Sequence, residues 1–399
     1  MITKLKLYNF KSHLNTELDL GPLTLLTGIN SSGKSSIIQS LLLLRQSVKK
    51  GRPGLDLNKP LCDIGKGFDA LSRFALDDLI AFQIWCGPNE GFQWVFDLHK
   101  HLDSTFIPCK TFDNLPNSRL LPLFTDEENK DRPMQPQLGG LVPMDASPSL
   151  KDLHLFSNNF QYLSASRWAN RSLYPMDSYA VEVERQLSLE YGQGELVGHF
   201  LHRFGNARDF NIKLDSLLHP TSTSRNLLDQ TIAWESEISP QVTMTVERKG
   251  SENVSVEYGY GDNKGFRSDN VGFGLSYTLP VIVALLSASP GALLILENPE
   301  SHLHPRGQSK LAELIALAAQ CGIQIIMETH SDHIFNGIRK TVMNKLIDKD
   351  NVKIHFFELN EDNVSQGTEI QLSENGRLLN YKSGLFDQFD KDLDTLLGL

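Results

Sequence analysis

The chain opens with apolar residues at alternating positions, Ile2, Leu5, Leu7 and Phe10, then Leu18 and Leu20. A period near two is what a strand with one face in a core produces, so this stretch predicts a half-buried hairpin. The apolar run Leu23-Thr24-Leu25-Leu26-Thr27 predicts a core strand after it, and Ile37 to Leu44 carries helical spacing that Gly51-Arg52-Pro53-Gly54 ends. Short strands are expected from there to about Phe112, above all Phe82-Gln83-Ile84-Trp85 and Phe92-Gln93-Trp94-Val95-Phe96. Residues 113–151, rich in Pro, Asn, Asp and Gly and without a period, predict a long loop.

Phe160-Gln161-Tyr162-Leu163-Ser164-Ala165 predicts a return to the core sheet that delivers Arg167 just past its end. Residues 178–238 carry helical spacing (Leu196, Phe200, Leu201, Phe204; Leu227, Leu228, Ile232, Trp234) and predict an inserted helical arm. Val242 to Val246 and Val254 to Tyr258 alternate as strands. Gly272-Phe273-Gly274-Leu275-Ser276 then precedes a buried helix through Leu286. Ala292 to Leu296 is an apolar strand ending in Glu297-Asn298-Pro299-Glu300. Leu311 to Ala319 is a helix, and Ile323 to Met327 a strand ending in Glu328-Thr329-His330-Ser331-Asp332. Strands alternating with helices imply an α/β fold with a parallel sheet and its ligand at the strand carboxyl ends. A strand pair, Val352 to Leu359 and Thr368 to Leu372, and a terminal helix are expected to follow. The expected organisation is residues 1–50 and 265–399 as two parts of one core, with residues 51–264 inserted between them.

Composition narrows the function classes. At 399 residues the chain can bury a large core, as one elaborated domain or two. A net charge of −10, from 38 Lys+Arg against 48 Asp+Glu, argues against a surface that coats nucleic acid. The charged, strand-like N-terminus reads as no targeting peptide, and no apolar run reaches the ~18 residues of a membrane span. Cys62, Cys86, Cys109 and Cys321 lack C-x-x-C pairing, which reads as reduced thiols in a cytoplasmic protein.

The most specific signal is Gly28-Ile29-Asn30-Ser31-Ser32-Gly33-Lys34-Ser35, a G-x-x-x-x-G-K-[ST] phosphate loop between a predicted strand and a predicted helix. The glycines let the backbone turn successive amides toward a triphosphate, and the helix offers its N-terminus to the same anion. Asn30, Ser31, Ser32, Gly33, Lys34, Ser35 and Ser36 are therefore candidate nucleotide-binding residues, with Lys34 on the β and γ phosphates and Ser35 on Mg²⁺. A phosphate loop needs an acidic partner for its metal, and Glu297 stands at a strand end where one is expected. The plainer reading is an acid that caps the strand exit. His302 and His304 form an i, i+2 pair without a third ligand at sensible spacing, and so read as hydrogen-bonding turn residues. His330, at another core strand end, is a candidate for the γ phosphate or the attacking water, against the alternative of a satisfied structural histidine.

In order, the phosphate loop, Gly-Phe-Gly-Leu-Ser, Leu-Leu-Ile-Leu-Glu-Asn-Pro-Glu-Ser-His-Leu-His-Pro and Glu-Thr-His-Ser-Asp resemble the ABC-type ATPases of the RecF, SMC and OLD group, in particular short bacterial OLD-like ATPases of the AAA family. The likeness extends to Leu7-Tyr8-Asn9-Phe10-Lys11-Ser12 and Asn380 to Gln388, and is weak between the core blocks. It implies a P-loop NTPase with an ABC-type head, a mixed sheet flanked by helices, and ATP with Mg²⁺ held between two copies of the chain. Lys34 and Ser35 of one copy would face Gly272, Gly274 and Ser276 of the other, making ATP a switch for closure. Arg167 falls near the family's glutamine-containing loop, but no Gln follows the strand here. The usual metal-ligand and catalytic-base pair appears as Glu297-Asn298, and an amide cannot take a proton from water. Either Glu300 or another group assists, or hydrolysis is slow and the bound state dominates; detectable but weak turnover is the expectation.

The resemblance further implies the ATPase subunit of a bacterial anti-phage defence system that controls a separate effector. After His330 no HNH or other nuclease constellation stands out, so a nuclease is expected as another polypeptide. The alternatives are a RecF-like DNA clamp, for which Lys49, Lys50 and Arg52 with His202 and Arg203 are the suggestive clusters, and an ATP-gated assembly scaffold.

Overall fold

A computed structural model describes residues 1–87, 89–116, 140–143 and 146–397, apart from the side chains of residues 264, 389 and 390. The chain divides into two units. Unit 1 comprises Met1–Ser157 and Lys353–Ile370, and unit 2 comprises Asn158–Val352 and Gln371–Leu399. The first unit is thus completed by a segment from late in the sequence.

Unit 1 begins with the expected hairpin, β1 (Lys4–Phe10) and β2 (His13–Asp19), then β3 (Leu23–Gly28) and helix α1 (Lys34–Lys49). β4 (Gly54–Asp56), the short α2 (Gly67–Ala70), β5 (Leu79–Trp85), β6 (Glu90–Asp97) and β7 (Phe106–Pro116) follow. Six strands make an antiparallel sheet in the order β2-β1-β5-β6-β7-β4. Its inner face buries Leu5, Leu7, Phe10, Phe82, Trp94 and Phe96, with the Phe10 ring edge-on to Phe82 at 5.1 Å. The loop expected over 113–151 is shorter at both ends. Residues 113–116 continue β7 against β6, and Ser147 caps a helical turn, α3 (Pro148–Lys151). Cross-strand pairing and burial of Leu115 override the local turn composition there. The middle of that stretch, residues 117–139 and 144–145, lies outside the described residues.

Unit 2 holds three parallel strands, β8 (Phe160–Leu163), β13 (Leu293–Glu297) and β14 (Gln324–Glu328), with β13 between the other two. β9 (Leu173–Pro175), β10 (Val242–Lys249), β11 (Asn253–Tyr260) and β12 (Asn263–Arg267) make a separate antiparallel sheet. The helical spacing over 178–238 becomes a π turn (Tyr179–Val183), α4 (Val197–Phe204), a 3-10 turn (Asp215–Leu217) and α5 (Leu227–Ile238). α5 packs against α6 (Phe273–Ser287) and α7 (Pro305–Gln320). α6 is apolar on every side and buried from Leu275 to Leu286, as a helix without a polar stripe must be. α8 (Asp332–Met343) packs on α7. The chain then returns to unit 1 as an antiparallel pair, β15 (Val352–Leu359) and β16 (Ser365–Ile370), with β15 beside β3, before α9 (Gln388–Leu397). Among the described residues no helix is long and apolar enough to cross a membrane.

Candidate functional site

The phosphate loop in unit 1 has the backbone its glycines permit. Gly28 has φ 133°, and a Cβ there would stand 2.0 Å from the Phe357 carbonyl oxygen; Gly33 has φ 97°, with Ser365 Oγ 2.3 Å from its would-be Cβ. Both positions therefore demand glycine, for conformation and for space. Lys34 is 3% exposed, and its Nζ donates to the Gly28 and Ile29 carbonyls at 3.1 and 2.7 Å. The ammonium is folded over the loop it belongs to. Asn30, Ser31 and Ser35 are exposed, whereas Ser32 and Ser36 are buried, and Ser32 Oγ meets no hydrogen-bond partner. The amides at the start of α1 give the loop the electropositive end that an anion requires.

In unit 2, Glu297 ends β13 in register with Glu328, which ends β14. Tyr162 OH donates to one Glu297 carboxylate oxygen at 3.1 Å, and the Ala165 amide donates to the other at 3.2 Å. Burial raises the Glu297 carboxyl above its ordinary range, and the neighbouring Glu328 charge pushes it the same way. Asn298 follows with φ 42°, its amide donating to the Glu328 carbonyl at 2.8 Å. Its side-chain Oδ1 is buried without a hydrogen-bond donor. Glu300 is 7% exposed. Its Oε1 accepts from Thr329 Oγ1 at 2.7 Å and from the His330 amide at 3.3 Å, while Oε2 is buried with no partner. Burial raises this carboxyl as well. His330 is partly exposed, with Nε2 3.8 Å from Glu328 Oε1.

Arg167 holds this turn together. Its guanidinium, 4% exposed, donates to the carbonyls of Ser164 (2.5 Å), Glu297 (2.7 Å), Asn298 (2.9 Å) and Tyr277 (3.2 Å), and lies 4.1 Å over the Tyr277 ring. Burial lowers its pKa to about 10, which leaves it charged at neutral pH beside two acids. The sequence placed Arg167 at a strand exit without a role; the structure makes it the fixture of the Glu297-Asn298 backbone. Tyr162 joins the cluster without any local pattern to announce it, whereas Glu328 and Thr329 belong to the Glu328-to-Asp332 strand end, where the sequence gives them no role of their own. The two unsatisfied acceptors of this turn, Asn298 Oδ1 and Glu300 Oε2, are both oxygen, which suits a hard cation or a water better than a soft metal.

The Gly-Phe-Gly-Leu-Ser segment starts α6. Gly272 is its N-cap and is exposed, as is Phe273, whose ring stands 5.6 Å from His302. A Cβ on Gly274 would press on the His302 carbonyl oxygen at 2.9 Å. Ser276 departs from expectation. It is wholly buried, and its hydroxyl exchanges hydrogen bonds with Asn170, accepting from the amide at 3.0 Å and donating to Oδ1 at 3.2 Å. Its first turn leaves Gly272 and Phe273 on the surface, with the serine inside. His304 caps α7, and among the described residues no group of three or more His, Cys, Asp and Glu could hold a metal ion.

Three family models match successive stretches: "AAA ATPase domain" over residues 1–86, "AAA domain, putative AbiEii toxin, Type IV TA system" over 157–336, and "Protein of unknown function (DUF3696)" over 347–396. No curated protein matches. Among solved structures, an SMC head bound to the C-terminal winged-helix domain of ScpA is similar at TM-score 0.51 and 14% identity, over 93% of this chain and 98% of that one. The SMC head domain from Thermotoga maritima gives 0.45 and 11%, over 93% and 99%. An SMC head with an extended coiled coil, bound to the C-terminal domain of ScpA derived from Pyrococcus furiosus, gives 0.49 and 12%, over 99% of each chain. The two AAA matches support an ATPase, and the fold is that of a P-loop NTPase of ABC type, built like an SMC ATPase head.

Proposed function

We propose that the chain is an ATP-binding, slowly hydrolysing ATPase that works as a nucleotide-gated switch between copies of itself. Lys34 and the loop amides bind the triphosphate, Ser35 and Glu297 ligate Mg²⁺, and His330 contacts the terminal phosphate or the attacking water. Mg²⁺, when bound, neutralises phosphate charge. The observation that carries the hydrolytic part is the pair of buried, unsatisfied oxygens on one turn, Asn298 Oδ1 and Glu300 Oε2. Each is an acceptor waiting for a donor, and water is the donor the reaction needs. Asn298 orients that water but has no basic lone pair to take its proton. Glu300 does, and its raised pKa makes it the stronger base.

Gly272 and Gly274 form the surface offered to the second copy, while Ser276 supports them from within. In the cell the switch controls a separate effector such as a nuclease, in bacterial anti-phage defence, as the OLD-like resemblance implies. The DNA-clamp alternative has less support. Lys50 and Arg52 pair with Asp56 at 2.8 and 3.3 Å, and Arg203 pairs with Glu182 and Asp209, so these cations are already engaged. ATP turnover by the purified chain tests the reading. Hydrolysis abolished by Glu300→Ala and unchanged by Asn298→Glu supports Glu300 as the base, and undiminished turnover in Glu300→Ala rejects it.

A further inference from the structure

The phosphate loop does not hold its shape alone, for two segments distant in sequence brace it from behind, both within unit 1. His13, the first residue of β2, is wholly buried, with Nε2 3.0 Å from the Gly33 carbonyl oxygen and Nδ1 2.9 Å from Thr16 Oγ1. A carbonyl only accepts, so Nε2 carries the proton and Nδ1 takes one from Thr16. Ser365, the first residue of β16, has its hydroxyl 2.7 Å from the Ser32 carbonyl oxygen and 2.6 Å from Ser12 Oγ. By the same reasoning Ser365 donates to the carbonyl and accepts from Ser12. At the other end of the loop the Phe357 carbonyl accepts from the Ile29 amide at 3.0 Å.

In a trans peptide the C=O of one residue and the N–H of the next point in opposite directions. Pinning the Ser32 and Gly33 carbonyls backward therefore turns the Gly33 and Lys34 amides forward, toward the concavity where an anion sits. We infer that His13 and Ser365 are positioning residues of the nucleotide site, which aim the Gly33 and Lys34 amides at a phosphate by holding the carbonyls of the same peptide units. The inference rests on the reading of the loop as an ATP site. It gives the β15–β16 hairpin a direct hold on that loop. Burial lowers the His13 pKa to about 4, so the brace is neutral and unchanged through the physiological range.

The test is Mg-ATP titration of the full chain by calorimetry, with steady-state turnover and the melting temperature of the nucleotide-free protein. Ser365→Ala deletes one buried atom and should weaken ATP binding about ten-fold, raising KM to match while kcat stays within about two-fold. His13→Ala should weaken binding further. Gln366→Ala, the exposed neighbour on the same strand, should change nothing. Equal ATP affinity in Ser365→Ala and the unaltered chain overturns the inference and leaves the ATP reading intact. So does a fall in the nucleotide-free melting temperature large enough to account for the weaker binding. If the unaltered chain takes up no ATP, the functional reading fails and the inference with it.

Discussion

The phosphate loop and the Glu297-to-Glu300 turn treat their backbone carbonyls and charged side chains in opposite ways, although each leaves a buried side-chain oxygen unsatisfied, Ser32 Oγ in the loop. In the loop, the Ser32 and Gly33 carbonyls and the Lys34 ammonium have protein partners, supplied by neutral groups such as a serine hydroxyl and an imidazole. At the turn, a buried arginine fixes the backbone while two side-chain acceptors stay unsatisfied and two carboxyls are pushed above their ordinary range. A group that binds a fixed anion gains from being pre-set. A group that must take a proton or a moving water gains from an open lone pair. The difference separates binding from chemistry, and it can be attacked from either side.

The largest effect is expected from Lys34→Ala, which should lower turnover at least ~100-fold, because no other side chain of the loop carries its charge. Glu300→Gln should lower kcat by a similar order while ATP affinity stays near that of the parent, and single-turnover kinetics would expose the split. If Glu300→Gln weakened binding instead, the turn would belong with the loop and the contrast would dissolve. Arg167→Met should act on the fold rather than the chemistry. Removing a buried charge that satisfies the carbonyls of Ser164, Glu297, Asn298 and Tyr277 is expected to lose roughly 3–5 kcal/mol in denaturant unfolding.

Acid should sharpen the contrast. His13 titrates near 4 when folded, against an ordinary value of about 6.5, so between these values the unfolded chain binds a proton that the folded chain refuses. Stability should fall as pH drops through that window, by up to roughly 3 kcal/mol, and His13→Gln should flatten the slope of melting temperature against pH. Glu297 and Glu300 act with the opposite sign. Their raised folded pKa gives a contribution that is lost as pH rises past the ordinary carboxylate range. The smallest effect is expected from Ser276→Ala, about 1 kcal/mol for an internal hydrogen bond with Asn170, read by thermal unfolding.

What could be read in advance followed contiguity. The phosphate loop is one unbroken motif, and β13 and β14 are apolar runs long enough to declare themselves, so Lys34, Glu297 and His330 were placed at the right strand and helix ends from sequence. His13, Ser365 and Arg167 were not assigned roles, because each acts on backbone contributed by distant segments, and a donor to a carbonyl leaves no periodicity behind. Ser276 misled for the opposite reason. A motif fixes which residues start a helix, but α6 is apolar all round, so spacing alone did not say which of its first residues faces outward. Asn298 is legible in both views, as an amide where a base is usual and as a residue held at positive φ.

The hairpin that braces the loop also has a bearing on how the protein is made. Ribosomes deliver a chain from its N-terminus, and early domains ordinarily settle before later ones appear. Here Phe357 and Ser365 emerge only after nearly all of unit 2. The newborn loop must wait, unbraced, while the polypeptide between them is synthesised, so competence to hold nucleotide should arrive late and abruptly during translation.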